Sequence, residues 1–404
     1  MNSLKPSRSN SNHRRHQQTF VHQQLPALER NMTKLNSIAI RGFRSVKEAT
    51  LEFRPLNVLI GANGAGKSNL ISFFKMMNEL TAGRLQQYIA ATGRAAANLY
   101  FGPKVTPQLE AELHFRVTDE IEDTYRMRLF YAANDSLIFA EEHLSFLTRG
   151  HVTPREVNLG AGHEETLIRN TASEGESTAK TTAKTILYML NRCRVFHFHD
   201  TGPTARIMQY CYIDDSRWLM HDAGNLAAVL YRLQSQNETA YRRIVATIKQ
   251  VAPFFDDFVL EPTGPGKREI ILNWRHRESD LVFGPHQLSD GTLRAICLIS
   301  LLMQPAEELP CLIIVDEPEL GLHPYALSVI ASLFRSASHH AQVLLSTQSS
   351  EFLNHFDVED IVIVERDGES SKFVRPNVEE LKDWLQDYSL GEIWTKNVIG
   401  AGPH

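Results

Sequence analysis

Eight residues, Gly61 to Ser68 (GANGAGKS), set three glycines ahead of a lysine and a hydroxyl. The spacing is G-x-x-x-x-G-K-[ST]. It follows an apolar run, LNVLI, and opens a run with helical periodicity, Leu70, Ile71, Phe74, Met77 and Leu80. A polyphosphate is large and multiply charged, so cradling it takes several backbone N–H groups turned to one side. The dihedrals this needs are open to glycine, and Gly61, Gly64 and Gly66 supply them. Amides exposed at a helix start favour an anion. Lys67 would reach the β- and γ-phosphates, and Ser68 would bind Mg2+. Asn63, Ala65 and Asn69 complete the expected nucleotide contacts of the loop.

Phosphate chemistry needs carboxylates as well, and CLIIVDEPEL (311–320) offers them. A mainly apolar strand ending in two acids delivers both to the carboxyl edge of a parallel sheet, where ligands bind. Asp316 would hold Mg2+ through a water, and Glu317 would act as general base on the attacking water. A third piece is LSDGT (288–292). Ser289 and Gly291 could offer a hydroxyl and amides to a γ-phosphate, although a helix N-cap by Ser289 or Asp290 explains the same residues. Ser346–Gln348 (STQ) closes the strand after the two acids.

These residues need elements to hold them. KLNSIAIRGF, VKEATLEFRP and LNVLIG read as three strands leading into the glycine loop. Three further strands, QLEAELHFRV, TYRMRLFYAA and SLIFAEEHLSFL, read as antiparallel. Residues 150–180 read as loop. A helix (TAKTILYMLNRC) and a strand (RVFHF) follow, then helical sequence from Asp222 to Val251 and a return to strand at REIILNWRH. From Thr292 onward helices and strands alternate, which argues for parallel βαβ units. The expected organisation is a basic disordered tail, 1–31, and a single head, 32–404. The head divides into an N-terminal lobe (32–150), a helical insert (151–285) and a C-terminal lobe (286–404). The tail reads alternatively as sequence upstream of a start at Met32, or as a basic arm for nucleic acid.

Composition narrows the partners. Net charge is −5, with 43% hydrophobic and 22% charged residues, so nothing global attracts nucleic acid. Four cysteines without a CxxC pair read as reduced thiols of a cytoplasmic protein. No apolar run reaches the length of a membrane span, so no membrane partner is expected.

With the motifs in this order, the chain resembles the ABC-type ATPase heads, in the RecF/SMC-like and OLD-like branch with an AAA-type core. IAIRGFRSVKEATLEFRPLNVLIGANGAGKSNL resembles that branch's N-terminal lobe, where the arginine of the F-R-S turn contacts nucleotide; the matching residue is Arg44. LSDGT resembles the signature motif. DEPELGLHP (316–324) resembles a joined Walker B and D-loop, with His323 where transporters carry aspartate. Gln348 stands where the switch histidine is usual, and glutamine cannot change charge. FHFHDTGPTAR, LSDGTLR and DYSLGEIWTKNVIGAGP resemble the RecF-like predicted ATPases of bacteria. The resemblance implies ATP and Mg2+ as cofactors, hydrolysis to ADP and phosphate, and a head-to-tail homodimer. In that dimer ATP lies between Lys67 of one subunit and Ser289 of the other. It implies a nucleotide-driven switch in DNA repair or genome maintenance, or a sensor in anti-phage defence that controls a separate effector. The partner is DNA or that effector. A non-hydrolysing, nucleotide-gated binding module is a third reading, against which Glu317 argues.

Three weaker constellations remain. HFHD (197–200) places His197 and His199 on one face of a strand, and the resemblance puts His199 or Asp200 near the metal or its water. A metal site built by the two histidines alone lacks further ligands. VERDGES (364–370) reads as a hairpin turn, since too little chain follows for a nuclease domain. NWRHRESD (273–280) reads as a solvated strand end or a nucleic-acid contact.

Overall fold

The computed structural model describes residues 33–148, 153–400 and 402; the basic tail lies outside the described residues. The chain opens with β1 (Lys34–Phe43), β2 (Val46–Glu52) and β3 (Leu56–Ile60). α1 (Lys67–Thr81) and two short helices, α2 (Leu85–Ala91) and α3 (Arg94–Asn98), follow. Next come β4 (Gln108–Arg116), β5 (Ile121–Ala132), β6 (Ser136–Thr148) and β7 (Arg155–Gly160). β4 alternates strictly, burying Leu109, Ala111, Leu113 and Phe115, as a strand with one wet face must. These strands form an antiparallel sheet in the order β2-β1-β4-β5-β6-β7. β7 lies in the stretch expected to be loop. It is an edge strand whose residues are all exposed or half-buried, so its pattern carries little apolar signal.

The middle of the chain is helical: α4 (Ile168–Glu174), α5 (Ser177–Asn191), α6 (Leu226–Gln236) and α7 (Glu238–Val251), with β8 (Cys193–Phe196) after α5. Two small antiparallel sheets follow. One pairs β9 (Cys211–Tyr212) with β11 (Glu269–Ile270). The other joins β10 (Phe255–Val259), β12 (Asn273–His276) and β13 (Val282–Phe283). The expected REIILNWRH strand is thus divided between β11 and β12. Trp274 is buried there, donates Nε1–H to the Gly284 carbonyl at 3.0 Å, and packs on Phe255 and Phe283. Trp274 of the NWRHRESD cluster is therefore core and His276 half-buried, while Arg275, Arg277, Glu278 and Asp280 stand exposed.

The last third alternates as expected: α8 (Asp290–Leu302), β14 (Leu312–Asp316), α9 (Pro324–Ala337), β15 (Gln342–Ser346), α10 (Ser350–Leu353), β16 (Ile361–Asp367) and β17 (Ser370–Val374). The chain closes with α11 (Val378–Leu381), α12 (Trp384–Asp387) and α13 (Leu390–Thr395). The core sheet has the order β17-β16-β3-β15-β14-β8, parallel throughout except for the β16–β17 hairpin. All five residues of β3 are buried, and β14 is buried up to Asp316, because both faces of the sheet are covered. Alternation then divides each strand between two cores. Val58, Ile60, Ile313 and Val315 join α6 to α9, whereas Leu59, Leu312 and Ile314 pack with α1, α5 and the antiparallel sheet. The molecule is an α/β fold with an antiparallel lobe and a mainly parallel core sheet, as expected from the sequence.

Candidate active site

Parallel pairing puts the carboxyl ends of β3, β15, β14 and β8 side by side, so the loops after them converge. The glycine loop leaves β3 and enters α1 at Lys67. Gly61 and Gly66 have φ of 154° and 122°. A Cβ on Gly61 would collide with the Val364 carbonyl, and one on Gly66 with the Ser371 hydroxyl, so both glycines are required by space as well as by backbone. No side chain caps α1 and no acid lies in its first turn, which leaves the positive helix end open to an anion. Lys67 is 5% exposed, and its Nζ donates to the carbonyls of Gly61 (2.5 Å) and Ala62 (3.2 Å). Burial lowers its pKa, opposed by the charges of Glu317, Asp316 and Glu319. Lysine, both motif acids and a third acid thus share one electrostatic neighbourhood. Ser68 and Asn63 are exposed on the same loop, while Asn69 donates to the Ser45 hydroxyl at 2.6 Å.

Asp316 ends β14 and accepts a short hydrogen bond from Ser346, the last residue of β15. Glu317 follows with φ of 44°, a left-handed conformation unusual for a non-glycine residue. Its N–H donates to the Ser346 carbonyl at 2.9 Å, and Gln348 Nε2 donates to its carboxylate. The residue in the switch position therefore holds the carboxylate expected to be the base. Arg44 also has positive φ, and its guanidinium donates to Asn98 Oδ1 (3.1 and 3.2 Å) and the Tyr88 hydroxyl (3.3 Å).

β8 ends at Phe196, so His197 and His199 lie in the following loop and not on a strand. A strand pattern cannot reveal this end, because apolar alternation runs on through Phe198. His199 Nε2 lies 3.0 Å from the Asp316 carbonyl; a carbonyl only accepts, so this nitrogen carries the proton. Asp200 instead caps its own turn by accepting from Gly202 N–H at 3.2 Å. His197 is pushed down to about 4 by burial and by Lys75, which keeps it neutral. Among the described residues no group of three or more His, Cys, Asp or Glu could hold a metal ion.

The signature-like residues lie apart from the glycine loop in their bonding. Ser289 caps α8, accepting from Thr292 N–H at 3.2 Å, and is exposed. Gly291 packs so closely on Gly321 that a Cβ would strike its carbonyl, which ties the start of α8 to the turn before His323. His323 is exposed and caps α9, its Nδ1 accepting from Tyr325 N–H at 3.3 Å. Arg294 on α8 donates to the carbonyls of Leu320 (3.0 Å) and His199 (2.9 Å).

Several participants escaped sequence reasoning. Glu319 is buried and accepts from Thr347 Oγ1 (2.7 Å) and Gln348 N–H (3.0 Å), which fixes the base of the switch loop. It belonged to the DEPEL run, so a third acid there was its only signal. Lys75 lies two turns along α1, near Asp316 and Arg44. Ser45, Arg366 and Ser371 touch the glycine loop or its neighbours, and nothing in their local sequence announces it.

A buried lysine beneath a strand–glycine loop–helix unit, facing two acids at the end of a neighbouring parallel strand, defines a P-loop nucleoside triphosphatase head. Comparison with known proteins agrees. Residues 33–190 match the AAA ATPase domain family, and residues 217–354 match a family described as "AAA domain, putative AbiEii toxin, Type IV TA system". Over these two stretches the chain matches AAA-type ATPase domains. No curated protein matches it. Its fold is similar to an SMC head solved with the C-winged helix domain of ScpA: TM-score 0.56, 16% identity, covering 87% of this chain and 99% of that one. It is similar also to the Smc head of Pyrococcus furiosus with an extended coiled coil, bound to the C-terminal domain of ScpA: TM-score 0.55, 15% identity, 88% and 99% covered. No helix among the described residues is long and apolar enough to cross a membrane.

Proposed function

We propose that the protein is a Mg2+-dependent ATP hydrolase working as a dimeric, nucleotide-driven switch. The observation that carries this reading is the meeting of Lys67, Asp316, Glu317 and Gln348 at one sheet edge. Triphosphate binding would draw Lys67 Nζ from the Gly61 and Ala62 carbonyls onto phosphate oxygens. The loop amides of Asn63 to Ser68 and the open end of α1 would hold the β-phosphate. The Ser68 hydroxyl and the Asp316 carboxylate form an all-oxygen donor set, which suits Mg2+, a hard cation that keeps several waters. Bound there, Mg2+ would neutralise charge on the β- and γ-phosphates. Glu317 would take the proton of the attacking water, its carboxylate oriented by Gln348 and its backbone by Ser346. His199, through the Asp316 carbonyl, is the better candidate for the loop residue beside the metal; Asp200 is engaged in its own turn. Arg44 would contact the nucleotide from the N-terminal lobe.

Ser289 and His323 are exposed at helix starts, and Gly291 lies against Gly321. In this reading they complete the site of a second copy, head to tail, and ATP joins the two. ATP then favours the closed dimer because it binds that state with more contacts. Phosphate release by wild type and Glu317→Gln, with light scattering of the variant, tests the scheme. The variant should bind ATP, lose roughly 10² to 10⁴-fold in turnover, and double in mass only with ATP. Equal turnover in both proteins would remove Glu317 from the mechanism.

DNA repair or genome maintenance is the context drawn from the RecF/SMC-like resemblance. Control of a separate effector in anti-phage defence is favoured by one observation, the toxin–antitoxin description of the family matched over residues 217–354. Turnover stimulated by DNA supports the first context. A co-purifying protein released on ATP turnover supports the second, and the SMC heads solved with ScpA domains offer a precedent for a docked partner.

A further inference from the structure

The glycine loop is gripped from outside by the β16–β17 hairpin, some 300 residues away in sequence. Arg366 donates through Nη2 (3.2 Å) and Nε (3.3 Å) to the Gly64 carbonyl. Ser371, fully buried, donates to the Ala65 carbonyl at 2.5 Å. The serine's single proton goes to that carbonyl, so in its 2.7 Å contact with Ser45 Oγ it accepts. Ser45 therefore donates to Ser371 and accepts from Asn69 Nδ2 at 2.6 Å. The result is a one-way chain of donors, Asn69 to Ser45 to Ser371 to the loop. Backbone bonds reinforce it: Ser371 N–H donates to the Ser45 carbonyl at 2.9 Å, and Lys47 N–H to Ser370 Oγ at 3.2 Å.

A trans peptide is planar, with its C=O and N–H pointing in opposite directions. Holding the Ala65 carbonyl against the hairpin therefore aims the Gly66 N–H away from it, toward the open side of the loop. Holding the Gly64 carbonyl likewise fixes the Ala65 N–H, but within the loop, where it donates to the Ala62 carbonyl at 3.2 Å and braces the turn. Neither Gly61 nor Gly66 leaves room for a Cβ between the loop and the hairpin, so the two surfaces lie directly against each other.

We infer that the β16–β17 hairpin is an outer clamp on the glycine loop, with Ser371 and Arg366 as positioning residues: Ser371 pre-aims the Gly66 amide at a bound polyphosphate, and Arg366 braces the Ala62–Ala65 turn that carries it. The inference rests on the reading of the loop as an ATP site. It gives the hairpin a place in nucleotide affinity rather than in the chemical step, and it gives the Asn69–Ser45 bond a part in the same chain.

The test measures Mg-ATP and Mg-ADP affinity by calorimetry, KM and kcat for hydrolysis, and nucleotide-free melting temperature. Wild type is compared with Ser371→Ala, Arg366→Met, Arg366→Lys and Lys67→Ala. Ser371→Ala should weaken ATP and ADP by about tenfold and raise KM alike, with kcat at saturation held within about threefold. Arg366→Met should weaken both by several-fold at unchanged melting temperature, and Arg366→Lys, which keeps a donor, should restore most of the loss. Unchanged affinity in both Ser371→Ala and Arg366→Met, or a fall in kcat with affinity intact, overturns the clamp. If Ser371→Ala does not fold, the Arg366 pair decides the matter alone, because that side chain is half exposed. Wild type that binds no nucleotide would instead overturn the ATP-site reading, and loss of binding in Lys67→Ala alone separates the two failures.

Discussion

Lys67 illustrates how one residue carries opposing demands. It is buried beside three carboxylates, and burial lowers its pKa while they raise it. Lys67→Ala should cut ATP affinity by roughly a hundredfold, read by calorimetry, since charge-assisted bonds to phosphate are lost. Glu319 is the reverse case. Burial raises its pKa above 4.5, while bonds from Gln348 N–H and Thr347 hold it back, and its Oε2 lacks a partner. Between 4.5 and the raised folded value the native state binds more protons than the unfolded chain. Stability therefore falls as pH rises through that window. Glu319→Gln should flatten this part of the melting-temperature profile, measured from pH 4 upward; an unchanged slope would assign it to other groups. The sequence named Lys67, Asp316 and Glu317 because their motifs are contiguous. It missed Glu319 because a third acid in such a run is equally compatible with solvent.

At the scale of elements, close approach matters more than propensity. α8 meets the turn before His323 at Gly291, whose Cα lies against the Gly321 carbonyl. Gly291→Ala should therefore push the helix from the turn and destabilise the fold by more than about 1 kcal/mol. A lower urea midpoint with unchanged slope would register it. The central strand β14 is equally intolerant. Ile314 is fully buried between the antiparallel sheet and α1, and Ile314→Ala should cost roughly 2–5 kcal/mol by the same measurement. Most of these elements were legible, since period-2 and helical patterns are local. β7 was not, because an edge strand with little buried surface carries no such pattern. The end of β8 was not, because Phe198 prolongs the alternation after the pairing has ceased.

For the whole molecule, one sheet serves two cores. Val58 and Ile60 face one and Leu59 the other, so neither core can open without exposing a face of the same strand. Calorimetry should show a single unfolding transition. ATP at about a hundred times its Kd should stabilise it by roughly 2.7 kcal/mol, and Lys67→Ala, at the same ATP concentration, should cut that to about 0.4 kcal/mol. Two transitions would mean that the antiparallel lobe unfolds on its own.

What the amino-acid order determined by itself is the glycine loop, the two acids after an apolar strand, and the alternation that makes the core sheet parallel. Each is a short-range pattern, and short-range patterns dictate local backbone. Only tertiary structure decided that Gln348 holds Glu317, that His199 rather than Asp200 meets Asp316, and that Ser45 and Ser371, 326 residues apart, join in a donor chain ending on the Ala65 carbonyl of the loop. Those contacts depend on β16 pairing beside β3, and strand order is settled by the packing of all the faces together, which no local run of residues encodes.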